Sequence, residues 1–559
     1  MAQIDAGKAI IEALRAEGVD TIFGLVGSTT NTIVCAMYGR EDVRFLDTRH
    51  EEGAAFMAYG YARASGKPTA CLTTSGPATI NLATGIALAY KGRAPVVAIA
   101  GDVDRKYLDR DGAQSFDLVN IFKPITSMSR QAYKTERIPE LIHDAFRSAL
   151  SGKRGPVFIN IPRDLMDNQT IDDSLIRPSS AYRAVQARIQ GDRDAVKRAA
   201  ELLSKAERPV LIAGGGVVDG DATNEAVALA ERLEMALIPA YGHNDAVPNS
   251  HPLYIGIPGN RGAPEAMEAI HRADVILALG SKLNQHSTHW DSSVINPQTR
   301  IVQVDIDVLE VGRNHAVEVG IVGDAKAVAQ QLLEALGSAK KDNASWRADI
   351  EALAKRRKAR LAEEESLQGD PMMPQRVYPE LRKALPKDCM VTLDAGVAPG
   401  LTYDRLSFEL PGTFHNYAGH GGLGMGYCVG LGTKIGRPDR PAISIQGDGG
   451  FLYTSQELNT AVRHGIPLVA LVLNNSCHGA EKAQQKRNYQ ERFVGVDLVN
   501  PRFDKLAEVY GAKGYYVTKP SEIADAVTAA LATKSPCVIE IPVAEYFPTA
   551  AKTPGAKGH

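Results

Sequence analysis

Two short polar segments in the last third of the chain each follow an apolar run that is typical of a buried strand. Residues 446–451, QGDGGF, follow AISI, and Asn474-Asn475 follow LVALVL. Because the carboxyl ends of parallel strands meet at one edge of a sheet, Asp448 and Asn475 are expected to face the same crevice. Carboxylate and amide oxygens suit a hard cation, and glycines allow the backbone to approach a diphosphate. We predict a magnesium site formed by Asp448, the Asn475 side-chain oxygen and a backbone carbonyl, that of Cys477.

A second group of polar residues lies in the first third of the chain. The segment Arg49-His50-Glu51-Glu52 follows the apolar run VRFLD and begins a helical pattern. The helix dipole favours a carboxylate at this position, and Glu52 is the natural capping residue. At this point Glu51 has two interpretations, a residue that stabilises the helix start or a functional carboxylate.

Two further turns carry small or amide side chains. Residues 74–82, TSGPATINL, contain Gly76 and Asn81, and residues 111–117, DGAQSFD, contain Gln114. Taken alone, such segments are surface loops more often than sites, and GDGG and NN can be plain turns. The functional interpretation depends on their occurring together.

Together these segments resemble the thiamine-diphosphate-dependent enzyme family, whose diphosphate motif begins with GDG and ends with NN after about two dozen residues. The resemblance implies that Glu51 hydrogen-bonds the aminopyrimidine ring of the cofactor and promotes loss of the thiazolium proton. It makes Gln114 the active-site glutamine. The cofactor-binding residues that it implies are Gly76, Asn81, Met425, Gly447, Gly449 and Gly450, with Met425 as the wedge that bends the cofactor.

The residues expected to face the substrate are Ser28, His420, His478 and Glu481. For the histidines a structural role is an equal alternative, and a methionine on a buried helix, such as Met425, is usually core packing. The chain also departs from the family pattern, since the segments 74–82 and 420–427 each lack one residue. Their detailed contacts therefore cannot be carried over.

The resemblance implies a carbon–carbon bond lyase or transferase that acts on a small aldehyde or 2-oxo acid through an enamine intermediate. The central third and residues 479–482, GAEK, are most similar to sulfoacetaldehyde acetyltransferase, which converts sulfoacetaldehyde and phosphate to acetyl phosphate and sulfite. The N-terminal third is more similar to acetolactate synthase, a carboligase of pyruvate. A pyruvate decarboxylase, a 2-hydroxyacyl-CoA lyase, an oxalyl-CoA decarboxylase-like enzyme and a non-catalytic cofactor-binding protein are the remaining alternatives.

The elements that would position these residues alternate between short apolar runs and helical patterns. This alternation predicts an α/β protein of three doubly wound parallel-sheet domains: a pyrimidine-binding domain at 1–166, a central domain at 190–337 and a diphosphate-binding domain at 372–546. A polar linker at 167–190, a charged helix after 337 and a loose tail at 549–559 complete the chain. The central glycines 214–216 lack the dinucleotide fingerprint and are interpreted as a structural turn, with FAD or ADP binding left open.

The composition of the chain argues against nucleic acid and membranes as partners and favours a small-molecule substrate. A formal net charge of −2 gives no basic field for nucleic acid or an anionic membrane, and no run reaches the roughly 20 apolar residues of a membrane span. The six cysteines form no CxxC pair, and the N-terminus lacks the pattern of a signal peptide, so a reduced, cytoplasmic protein is expected. The resemblance implies a homodimer at least, with a tetramer by analogy, because the family places each cofactor between two subunits.

Overall fold

The computed structural model describes residues 2–177, 188–338, 340–416 and 419–547. Within these ranges the chain forms three parallel sheets flanked by helices, which confirms the predicted α/β class. The predicted tail at 549–559 and residues 178–187 of the predicted linker lie outside the described residues.

The first sheet belongs to the N-terminal unit, and its strands are all parallel. They are β2 (Thr21–Gly24), β3 (Arg44–Asp47), β4 (Thr69–Thr73), β5 (Val96–Asp102), β6 (Met128–Gln131) and β7 (Val157–Pro162), in the order β3-β2-β4-β5-β7-β6. The surrounding helices are α1 (Ala6–Ala16), α2 (Asn31–Cys35), α3 (Glu51–Ser65), α4 (Pro77–Asn81), α5 (Ala83–Lys91), α6 (Leu118–Phe122) and α7 (Ile138–Leu150). Strands β4, β5 and β7 are buried throughout, as expected for a sheet covered on both faces.

A separate antiparallel pair extends this unit beyond residue 166. Strand β1 (Gln3–Asp5) pairs with β8 (Thr170–Asp172), which lies inside the stretch predicted to be linker. Both strands have only three residues and are largely polar, so they leave no apolar run for a sequence pattern to detect. The linker can therefore begin only after Asp172.

The central unit contains a five-stranded parallel sheet. Its strands are β9 (Pro209–Ala213), β10 (Ala236–Pro239), β11 (Val275–Leu279), β12 (Arg300–Asp305) and β13 (Val319–Val322), in the order β10-β9-β11-β12-β13. Its helices are α8 (Arg193–Lys205), α9 (Gly215–Asp219), α10 (Thr223–Leu233), α11 (Pro264–Arg272), α12 (Gln285–Thr288) and α13 (Ala325–Leu336). Since β9 lies between β10 and β11, the glycine turn at 214–216 that follows it has a strand on either side.

The C-terminal unit contains a second six-stranded parallel sheet. Its strands are β14 (Met390–Leu393), β15 (Phe414–His415), β16 (Ala442–Gly447), β17 (Val469–Asn474), β18 (Lys513–Tyr516) and β19 (Cys537–Pro542), in the order β15-β14-β16-β17-β19-β18. Its helices are α15 (Val377–Ala384), α16 (Val397–Gly400), α17 (Thr402–Arg405), α18 (Met425–Gly436), α19 (Asp448–Thr454), α20 (Glu457–Arg463), α21 (Gly479–Asn488), α22 (Phe503–Tyr510) and α23 (Pro520–Ala532). Strands β14, β16 and β17 are neighbours, so their carboxyl ends meet at one place.

The charged helix predicted after residue 337 is α14 (Ala344–Glu365), and it ties two units together. Trp346 and Ile350 are buried in the central core. Further along, Arg357 and Arg360 each donate to the Asp404 carboxylate of the C-terminal unit at 2.8 Å. The helix therefore fixes the central unit against the sheet that carries the diphosphate motif.

Helices α3 and α18 join the N-terminal and C-terminal units directly. They cross closely enough that a Cβ atom added at Gly60 would collide with the Val429 carbonyl oxygen, and one at Gly432 with that of Met57. Both sites need glycine because backbone meets backbone there. None of the helices in the described ranges combines the length and apolar composition needed to cross a bilayer.

Candidate active site

The carboxyl ends of β14, β16 and β17 open into a cavity of about 510 Å³, which we call the diphosphate cavity. Its floor is built from the predicted strand-end motifs, and its rim from α16, the loop before α18 and the start of α21. Eight residues predicted from the sequence line it: His420, Gly447, Asp448, Gly449, Asn475, Cys477, His478 and Glu481. The structure thus brings together the predicted metal residues and three of the four expected substrate residues.

Asp448 is the only one of the three predicted metal residues that carries a negative charge. Its side chain is 2% exposed, and burial raises the pKa of the carboxyl above its usual range. The Asn500 amide donates to its Oδ2 at 2.7 Å, and the carboxylate has no salt bridge within the described part of the chain. A buried carboxylate with only neutral donors around it is strongly stabilised by a cation, so the residue fits a magnesium ligand.

Asn475 and Cys477 form a tight turn after β17. The Cys477 N–H donates to the Asn475 Oδ1 at 3.3 Å, and Ser476 between them adopts a left-handed conformation with φ of 53°. Burial raises the pKa of the Cys477 thiol to about 12, so the thiol stays protonated and is a poor ligand for a hard cation. The predicted metal contact of Cys477 therefore concerns its backbone carbonyl and not its thiol.

The glycines after β16 make room for neighbouring side chains as well as for a ligand. A Cβ atom on Gly449 would lie 2.6 Å from the His478 ring, and one on Gly450 would lie 3.1 Å from the Asp394 carboxylate. Gly447 and Gly449 line the cavity, whereas Gly450 sits behind it. The imidazole of His478 thus covers the motif, and this position is compatible with contact to a bound diphosphate.

Glu51 is the first residue of α3 and is held by partners from two units. Its side chain is 8% exposed, and the Asn81 amide donates to its Oε2 at 3.0 Å. The helix cap is His50 rather than Glu52: the His50 Nδ1 accepts from the Glu52 N–H at 3.2 Å. Glu457 of the C-terminal unit accepts the N–H of Arg49 at 3.1 Å and of His50 at 2.9 Å. These contacts leave Glu51 free of the capping role.

A second cavity, of about 320 Å³, lies in the N-terminal unit and contains Ser28 and Gln114. The Ser75 hydroxyl donates to the Gln114 Oε1 at 3.2 Å, and Gly76 has a φ of 62° where the Gln114 backbone packs against it. This N-terminal cavity shares no lining residue with the diphosphate cavity, and Glu51 lines neither. Within one chain the two groups of predicted residues are therefore separate.

Met425, the expected wedge, is fully buried at the start of α18 and does not line the diphosphate cavity. Leu423, two residues earlier, does line it. The segment 420–427 lacks one residue of the family pattern, and the apolar side chain of this segment that lines the cavity is Leu423. The structure favours Leu423 for the apolar contact, and Met425 packs in the core.

The central unit has a cavity of about 100 Å³ beside the glycine turn. Gly214 and Gly216 pack against the backbone of Gly280, where a Cβ atom would collide. Glycine is therefore needed at both positions for packing.

Comparison with protein-family models assigns all three units. The N-terminal TPP binding domain of thiamine pyrophosphate enzymes matches residues 4–121, the central domain matches 196–332, and the C-terminal TPP binding domain matches 394–541. The chain belongs to the thiamine pyrophosphate enzyme family. Its cofactor is therefore thiamine diphosphate, and the residues of the diphosphate cavity fit that cofactor's charged end.

Relatives with curated names extend the comparison over nearly the whole chain. A probable acetolactate synthase large subunit of Methanocaldococcus jannaschii is 35% identical over 97% of this chain and 92% of its own length. An acetolactate synthase large subunit of Corynebacterium glutamicum is 33% identical over 97% and 87%. A sulfoacetaldehyde acetyltransferase of Alcaligenes xylosoxydans xylosoxydans is 33% identical over 96% and 92%. Because the identities to the two kinds of relative are nearly equal, they do not decide between the acetolactate synthase and the sulfoacetaldehyde acetyltransferase reactions.

Several residues of this thiamine pyrophosphate enzyme are placed at the site without having been predicted from the sequence. Arg261 and His286 reach the diphosphate cavity from the central unit, Leu423 lines it, Asn500 holds Asp448, and Glu457 anchors the start of α3. None stands immediately after an apolar strand pattern, so the rule that located Asp448 does not apply to them. The only signal for Arg261 was its place in a glycine- and proline-rich turn, PGNRG.

Proposed function

We propose that this enzyme converts sulfoacetaldehyde and phosphate to acetyl phosphate and sulfite. The observation that carries this proposal is the wall of the diphosphate cavity formed by residues 479–481 at the start of α21. This wall belongs to the GAEK segment, whose sequence is similar to that of sulfoacetaldehyde acetyltransferases. A segment that resembles one of the two branches thus lines the cavity in which the substrate is expected to bind.

Side chains away from the cavity hold this wall in place. The Lys482 ammonium donates to Asp497 at 2.6 Å and to Glu545 at 2.5 Å. Gln485 makes two hydrogen bonds to the Val494 backbone, at 3.1 and 2.9 Å. These contacts join α21 to the loop after it, and both parts show the resemblance to the acetyltransferase.

Each residue of the site has a proposed task. Asp448, Asn475 and the Cys477 carbonyl would hold magnesium, while Gly447 and Gly449 admit the diphosphate. When bound, thiamine diphosphate supplies a carbanion that adds to a carbonyl and then acts as an electron sink. Glu51 would exchange a proton with the aminopyrimidine ring, oriented by the Asn81 amide. Overall, sulfite leaves from the carbon next to the aldehyde, and phosphate takes the acetyl group.

The separation of the two cavities supports a homodimer as the smallest active unit. If Glu51 and Asp448 serve one cofactor, as the family resemblance implies, the N-terminal unit of one chain must meet the C-terminal unit of another. A homotetramer is proposed by analogy. Dilution of the purified enzyme should then abolish activity when the dimer dissociates, and sedimentation velocity would measure that transition.

The test of the reaction is sulfite release by purified enzyme supplied with thiamine diphosphate, Mg²⁺, phosphate and sulfoacetaldehyde. Pyruvate consumption is followed in parallel, and Glu51→Gln is the control for both. Sulfite formed together with acetyl phosphate supports the acetyltransferase. Consumption of pyruvate without sulfite release would assign the enzyme to the acetolactate branch, which the 35% identical relative keeps as the second candidate.

A further inference from the structure

Arg261 occupies a distinctive position in the diphosphate cavity. It lies in the loop between β10 and α11 of the central unit and reaches over the end of β14. Among the described residues that line this cavity, it is the only arginine or lysine. The other charged groups of the lining are carboxylates, Asp448 and Glu481. A permanent positive charge is thus delivered to the site by a different unit of the chain.

The guanidinium of Arg261 has no acidic partner within the described residues. Its Nη1 donates to the Gly396 carbonyl at the start of α16, and it takes part in no salt bridge. Arg360, by contrast, pairs with Glu265 at 3.0 Å and with Asp404 at 2.8 Å. Arginine has five N–H donors, so Arg261 keeps most of them available for a ligand.

The surrounding residues are shaped to accept this side chain. A Cβ atom on Gly400 would lie 2.6 Å from the Arg261 Cδ and 2.7 Å from its Nη1, so a larger residue at position 400 would displace the guanidinium from its present position. The His286 ring stacks on Tyr241 with the ring centres 5.0 Å apart. Burial, and then the charge of Arg261, lower the pKa of His286. His286 is therefore neutral near pH 7, and Arg261 is the cation that the cavity offers.

We propose that Arg261 binds the oxyanion of the substrate, the sulfonate of sulfoacetaldehyde or the carboxylate of a 2-oxo acid, and so determines specificity for anionic substrates. This inference rests on the proposed function but covers both of its branches, because sulfonate and carboxylate share the chemistry that a guanidinium recognises. The diphosphate is the competing oxyanion. Its predicted position is at Asp448 and Asn475, directly after β16 and β17, whereas Arg261 contacts the Gly396 carbonyl beyond the end of β14.

The test compares wild type with Arg261→Gln, which removes the charge, and Arg261→Lys, which keeps it. For the Gln variant, the KM for sulfoacetaldehyde or pyruvate should rise about 10- to 100-fold, as expected for loss of a charge-assisted hydrogen bond. The Lys variant should recover part of this loss. The KM for acetaldehyde in acetoin formation, which joins two neutral aldehydes and needs no leaving group, should stay within about twofold, and so should the affinity for thiamine diphosphate with Mg²⁺, measured by calorimetry.

The remaining outcomes separate this inference from the proposed function. If the affinity for thiamine diphosphate falls as much as the affinity for the anionic substrate, Arg261 binds the cofactor and the inference is wrong. Equal changes of KM for anionic and neutral substrates would also overturn it. If wild type turns over neither substrate, the proposed function fails, and the inference is tested by calorimetry of cofactor-loaded protein with isethionate and lactate. Binding to wild type that is lost in Arg261→Gln supports it, and equal or absent binding refutes it.

Discussion

Replacing Asn500 with alanine should weaken magnesium binding without touching a metal ligand. The Asn500 Nδ2 donates to the Asp448 Oδ2 at 2.7 Å and to the Asn474 Oδ1 at 3.0 Å, so it holds the carboxylate against the end of β17. Loss of a residue that orients a metal ligand typically costs about 10- to 100-fold in metal affinity. That range corresponds to roughly 1.4–2.8 kcal/mol.

The same change should shift the pH dependence of binding. The Asp448 carboxyl must be ionised to bind Mg²⁺, burial raises its pKa, and the hydrogen bond from Asn500 opposes that rise. Without the Asn500 donor the pKa rises further, so magnesium binding should fail at a higher pH in the variant than in wild type. Titration of Mg²⁺ by calorimetry at saturating thiamine diphosphate, repeated across the acidic range, measures both effects.

A matched control is available on the surface of the N-terminal unit. The Asn120 amide donates to Asp117 at 2.6 Å in the same kind of pair, which is exposed to solvent and belongs to a different unit from Asp448. Asn120→Ala should leave both the affinity and its pH profile unchanged. If Asn500→Ala also binds Mg²⁺ with wild-type affinity and the same acidic limit, Asp448 is not held as a metal ligand in the way described.

Three further changes test the other parts of the site. Glu51→Gln should keep thiamine diphosphate binding while turnover and exchange of the cofactor C2 proton fall by about 10²–10⁴, and full activity would contradict the proton role. Leu423→Ala should lower kcat with little change in melting temperature. Met425→Ala should lower the free energy of unfolding by about 2–5 kcal/mol, because it removes a buried side chain. The reverse pattern would assign the wedge to Met425. Burial raises the pKa of Asp394 to about 7. The protonated Asp394 carboxyl therefore contributes fully to folding stability below about pH 4, and this contribution is lost as the pH rises through 7. Asp394→Asn, which cannot ionise, should flatten the decline of the unfolding free energy between these pH values. An unchanged slope would refute the raised pKa of Asp394.

The parts of this enzyme that follow a local rule could be predicted from the sequence. Asp448 and Asn475 each end an apolar strand pattern, and parallel strands bring such ends together, so their shared cavity was predictable. Met425 could not be separated from Leu423 by sequence, because one missing residue in a glycine-rich turn changes which side chain faces inward. Arg261 and Asn500 lie on loops without a periodic pattern, and only the folded chain shows what they contact.

Glu457 shows how the C-terminal unit acts on Glu51, the proposed catalytic residue of the N-terminal unit. Its carboxylate is fully buried, accepts the backbone N–H groups just before Glu51, and has its pKa raised by burial. Since α3 also crosses α18 with backbone against backbone, the position of Glu51 is set by the C-terminal unit of its own chain. If the proposed dimer holds, that same unit binds one cofactor at Asp448 and positions the carboxylate that serves another. A disturbance of α18 or α20 should then affect both cofactor sites at once.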